Sequence, residues 1–195
     1  DGAKFNKLRV RPTEFEKQIA WLKAEGFNFV TMQELQDHWG RHPAKTVAIT
    51  FDDGYLDNLE NAFPILEKYQ AKATIYVVVD RHDRDWSTYK KAHHNSGELA
   101  REPKLNDEQV KLLSNSGLIE IGSHTMTHAN LAKLDDIECL DELTQSKQSL
   151  EDLIHRSVNS FAYPFGIYAA RDVSLAQQAG YTNAVTTQEG IDGKM

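Results

Sequence analysis

"SNSGLIEIGSHTMTH", residues 114–128, holds the end of one element, the whole of a second and the start of a loop. A helical pattern stops at Gly117, and "LIEIG" (118–122) reads as a short strand that begins at once. The same handover, helix to glycine to strand with no linker, recurs at "AEGFNFV" (24–30) and "QAGYTNAV" (178–185). Joints this short and this regular predict an α/β architecture with a mostly parallel sheet.

Working outward, "NDEQVKLLSNSG" (106–117) reads as a capped helix and "ATIYVVV" (73–79) as a β-branched strand. Before them lie a mostly helical "NLENAFPILEKYQ" (58–70) and a strand "TVAITF" (46–51). Nearest the start, "FNFVT" (27–31) is a strand, and "RPTEFEKQIAWLKAEG" (11–26) a helix with a Thr13–Glu16 capping box. On the far side, a long helix spans about 135–155, followed by strand 160–163, helix 171–180 and strand 183–187. Residues 81–104 are polar and irregular and read as a long loop from strand to helix rather than as a linker. Nothing marks a boundary, so residues 1–195 are expected to form one domain.

Composition excludes several classes. The formal charge is −7, from 22 basic and 29 acidic residues, with no basic block. A nucleic-acid or anionic-membrane surface is not expected. No apolar run has the length of a membrane span. The single cysteine, Cys139, excludes an internal disulfide and a cysteine-rich zinc site.

The polar residues cluster where the strands end. Asp52-Asp53-Gly54, Asp80-His82-Asp83, Ser123-His124, Tyr163-Pro164-Phe165-Gly166 and Thr187-Gln188-Glu189-Gly190 each follow a strand. In parallel α/β folds those ends converge on one face. Adjacent strand residues point to opposite sides, so Asp52 and Asp53 can share a site only if the backbone turns there, and Gly54 permits the turn. His124 and His128, four residues apart, would lie on one face of a helical turn. Two imidazoles and a carboxylate make a three-ligand metal site with open positions, catalytic in character. The second aspartate would then stand free to take a proton from water acidified by the cation, which points to hydrolysis of an acyl group.

"TFDDGY", "SHTMTH" and "FAYPFG", in that order, resemble the polysaccharide deacetylases of carbohydrate esterase family four, and framework segments extend the similarity over nearly the whole chain. The resemblance implies a distorted (β/α)7-type barrel. It implies a divalent metal, most often Zn2+, on Asp53, His124 and His128, with Asp52 as base. The Tyr163 backbone N–H is the oxyanion donor expected from it. Candidate substrate contacts are Pro164 and Phe165 of the same loop and Trp86 and Tyr89 of the long loop, whose rings could stack on sugars. The implied reaction removes acetyl from N-acetylglucosamine units of a glycan, in a periplasmic, secreted or cell-envelope setting. An O-acetyl esterase and a non-catalytic carbohydrate-binding domain are the alternatives. Three departures from the family pattern stand out. Ala162 occupies the place where many relatives carry an arginine that pairs with the base. No Leu-x-His segment supplies a general acid, for which His82 is the candidate replacement. No strand precedes the first helix, so the barrel is expected to be incomplete at one or both ends.

Overall fold

The computed structural model describes residues 9–82 and 101–188. Asp83, Trp86, Tyr89, His93, His94, Glu189 and Gly190 lie outside the described residues. Seven short strands occur among those described: β1 (Asn28–Val30), β2 (Thr46–Ala48), β3 (Thr50–Phe51), β4 (Ala73–Val77), β5 (Ile119–Ser123), β6 (Ser160–Ala162) and β7 (Asn183–Val185). The helices are α1 (Pro12–Ala24), α2 (Met32–Asp37), α3 (Phe63–Tyr69), α4 (Asp107–Asn115), α5 (Asp136–Ile154) and α6 (Ala170–Gln178). All pairings between strands are parallel: β1 with β2, and β3-β4-β5-β6-β7 in sequence order. Helix–strand alternation in strict order curls the five-stranded sheet into the distorted, open barrel anticipated above.

Several elements depart from their reading. "TVAITF" is two strands, broken at Ile49, because its first half pairs with β1 and its second with β4. Helix α1 starts at Pro12, two residues earlier than a Thr13 cap would place it, with Arg11 extended before it and no side-chain cap, so the Thr13–Glu16 box does not form. Helix α2 was not foreseen. Its capping box joins Thr31 and Glu34, a signal present in the sequence but hidden in a six-residue element. The predicted cap of α4 is there, with Asn106 accepting from Gln109 N–H and the Gln109 side chain accepting from Asn106 N–H.

Strand alternation sorts the sheet into two unlike faces. Outward, Ile75, Val77, Ile119, Ile121 and Phe161 join Leu113, Leu143 and Leu150 of the helices in the apolar core. The inner face carries Thr74, Tyr76, Glu120, Gly122, Ser160 and Ala162, which the register sets side by side. Glu120 accepts from Thr74 Oγ1 at 2.9 Å, from the Ser160 hydroxyl and from the Gln33 N–H at 3.0 Å. Met32 N–H donates to Thr74 Oγ1. The first turn of α2 thus closes the inner face at the N-terminal ends of β4 and β5, leaving the C-terminal ends open as the mouth.

Candidate metal centre and catalytic site

Asp52 follows β3 with inward phase, as the neighbour of Tyr76 in the register that pairs Thr50 with Thr74, and it is exposed. Asp53 would point outward if the strand continued. Instead its φ is +72° and that of Gly54 is +68°, so the chain reverses and returns the second carboxylate to the same mouth. Residues on the far side of the 83–100 segment buttress this turn: Leu105 N–H donates to Gly54 C=O and Leu56 N–H to Pro103 C=O.

His124 and His128 meet by a route other than the one expected. The 124–128 segment is not helical; Thr125 (φ +68°) and His128 (φ +60°) take left-handed backbone conformations and fold the loop on itself. The rings end 4.8 Å apart, centroid to centroid, and both histidines are buried. Helix α5 holds this loop through Glu142. Its carboxylate accepts from Met126 N–H and Thr127 N–H, both at 3.0 Å, and from Thr127 Oγ1 at 2.7 Å. Sequence reasoning missed Glu142, because a glutamate in a charged helix carries no local mark of such a role. Ser123 adds a second hold on the loop: its hydroxyl accepts from Thr125 N–H and donates to Ser146.

The donor set is oriented for a cation. His124 Nδ1 lies 2.8 Å from the Ala162 carbonyl, which can only accept, so that nitrogen carries the proton. The other ring nitrogen, Nε2, faces Asp53. Burial, and next the neighbouring His124, push the His128 pKa down to about 2, so that ring is neutral. Asp53 Oδ1 lies 3.3 Å from His128 Nε2 and 3.5 Å from His124 Nε2. Ligands held ~2.1 Å from a tetrahedral ion stand about 3.4 Å apart. Among the described residues these three form the group with metal-ligand spacing, their donor atoms all within 4.8 Å of one another. The residues fit a small divalent cation.

The "AYPFG" loop lies against this centre, and here two expectations are corrected. Tyr163 N–H donates to Val185 C=O at 3.1 Å in the β6–β7 ladder, so that amide is committed to the sheet and is not open to a substrate oxygen. Pro164 is buried and forms the turn, with no surface for a glycan. Phe165 remains: half-buried, at φ +62°, with its ring edge-on to His128 at 4.6 Å. The amides after it donate back within the turn, Gly166 to Tyr163 and Ile167 to Pro164, which leaves the Phe165 N–H outside that pattern. Gly166 is required, since a Cβ there would sit 2.0 Å from Thr187 Oγ1. His82 is exposed.

A family model described as polysaccharide deacetylase matches residues 40–184. The Bacillus subtilis protein YxkH is 34% identical over 188 residues, covering 95% of this chain and 61% of its own. A Staphylococcus aureus poly-beta-1,6-N-acetyl-D-glucosamine N-deacetylase is 26% identical over 190 residues, 92% of this chain and 61% of that protein. The chain therefore spans about three fifths of the length of these curated relatives. Among solved structures, the Streptococcus pyogenes deacetylase PplD in complex with acetate superposes with a TM-score of 0.79 at 26% identity. That match covers 97% of this chain and 80% of PplD.

Proposed function

This chain belongs to the polysaccharide deacetylase family, and from that premise we propose that it is a metal-dependent hydrolase removing acetyl groups from N-acetylglucosamine units of a glycan. The observation that carries the reading is the convergence of Asp53, His124 and His128 at cation spacing, beside an inward-facing Asp52. A divalent cation held there, most plainly Zn2+, would supply Lewis acidity, acidifying water and drawing charge from the acyl oxygen. Asp52 takes the proton of the attacking water, an arrangement that needs a carboxylate near the cation and not bound to it. Asp53 and the two histidines hold the cation, with the Ala162 carbonyl fixing the His124 tautomer. The Phe165 N–H, beside His128, is the donor this chain offers to the developing oxyanion, in the role first read for Tyr163. The name of the Staphylococcus aureus relative, a poly-beta-1,6-N-acetyl-D-glucosamine N-deacetylase, supports a polymer of N-acetylglucosamine as the substrate class.

The test is acetate release from N-acetylglucosamine oligomers by chelator-stripped protein, before and after Zn2+ is added. Release that returns with metal is the expected result. Because the same steps cleave an acetyl ester, acetylated xylan belongs in the same assay, and preferential release from it would reassign the bond to an O-acetyl ester. Glycan binding that survives Asp52→Asn, with no acetate from either substrate, would replace the enzyme reading with a binding domain.

A further inference from the structure

One polar atom on the inner face has no assigned task. Tyr76 is fully buried, and its hydroxyl makes no hydrogen bond to any described residue. A buried hydroxyl left so is destabilising relative to one that is bonded, and a phenylalanine would fill nearly the same volume without that cost. The surroundings favour the tyrosine specifically. Gly122, across from it on β5, has no side chain, and a Cβ there would lie 2.5 Å from the Tyr76 ring. The strand is therefore cleared to let the ring lie across the inner face. Burial pushes the phenol pKa well above the usual range, and two carboxylates add to this, Glu120 from the closed end and then Asp52 from the mouth. Glu120 already accepts three hydrogen bonds, from Thr74, Ser160 and Gln33. Asp52 is the carboxylate left to use the donor. Where a paired arginine would stand on β6 the chain has Ala162, so the inner face supplies no cation to steer Asp52 from that position.

We propose that Tyr76 is a positioning residue for Asp52, its hydroxyl donating through one internal water to the inner oxygen of the carboxylate. A water is suited to the span, since Asp52 continues the register that pairs β3 with β4 and so neighbours Tyr76, yet no direct hydrogen bond joins the hydroxyl to a described residue. One carboxylate oxygen is thereby held, and the other faces the mouth. The inference rests on Asp52 being the base of the proposed reaction, and it is tested in two ways that do not depend on each other.

Infrared difference spectra of the metal-loaded protein identify the Asp52 carboxylate stretch by its loss in Asp52→Asn. In Tyr76→Phe that band is expected to shift. On N-acetylglucosamine oligomers, Tyr76→Phe is expected to lower kcat about 10–100-fold, the range for removing a partner one step from the reacting groups, with KM and bound metal unchanged. Its melting temperature should hold or fall slightly, because the ring keeps its packing against Gly122 and only the water-bridged hydroxyl is lost. An unmoved band with unchanged kcat would overturn the proposal, as would a fall in kcat accompanied by loss of metal. A wild-type protein inactive on every acetylated glycan, yet showing the band shift, would overturn the deacetylase reading and leave the Tyr76–Asp52 contact standing.

Discussion

At Asp52 and Asp53 two like charges sit side by side because the strand ends between them. One keeps the inward phase of β3, and the other is returned by a left-handed turn to face two imidazoles. Their substitutions should separate cleanly. Asp52→Asn is expected to retain bound metal and lose about 10²–10⁴-fold in kcat, the usual contribution of a positioned base. His128→Ala should lose metal first, measured as stoichiometry by atomic absorption, with activity following the metal. Gly122→Ala probes the inner face. Its methyl group would meet the Tyr76 ring at 2.5 Å and the Ser160 carbonyl at 3.0 Å, so thermal unfolding should show a loss of about 1–3 kcal/mol.

Among elements, α5 does more than cover the sheet. Through Glu142 it fixes the amides of residues 126 and 127, and so the angle at which the two histidines meet. Glu142→Ala is expected to weaken metal binding about 10–100-fold by calorimetry, with far-UV circular dichroism unchanged. This contact marks where local reading stops. The residues of the centre were legible in "SHTMTH", but their geometry was inferred from helical spacing, and the chain reaches the same proximity through left-handed residues at 125 and 128. The caps behave alike. Asn106 was legible because its helix is long enough to show a pattern. Thr31 was not, and Thr13 was misread because Pro12 already starts that helix. The Tyr163 amide was misassigned for a similar reason: only the register with β7 shows that Val185 holds it.

For the molecule as a whole, glycine-to-strand handovers were sufficient to read an α/β architecture with a mostly parallel sheet, since each joint is a local event, whereas the open barrel followed from the family resemblance. The break of "TVAITF" into two strands was not local, because it depends on partners far apart in sequence. Metal is expected to stabilise the whole fold, since the three ligands come from the ends of two strands and from the loop after the second. Zn2+ at about 100 times its Kd should add about 2.7 kcal/mol, which in a domain of this size raises Tm by about 5–10 °C in a thermal scan. Among the described residues, six non-glycine positions have positive φ. Two, Gln70 and His155, end helices, and the other four, Asp53, Thr125, His128 and Phe165, belong to the site. A designer who copied these side chains onto an unstrained barrel would therefore transplant the chemistry without the joints that aim it. The portable unit is the set of bent loops with the strands that anchor them.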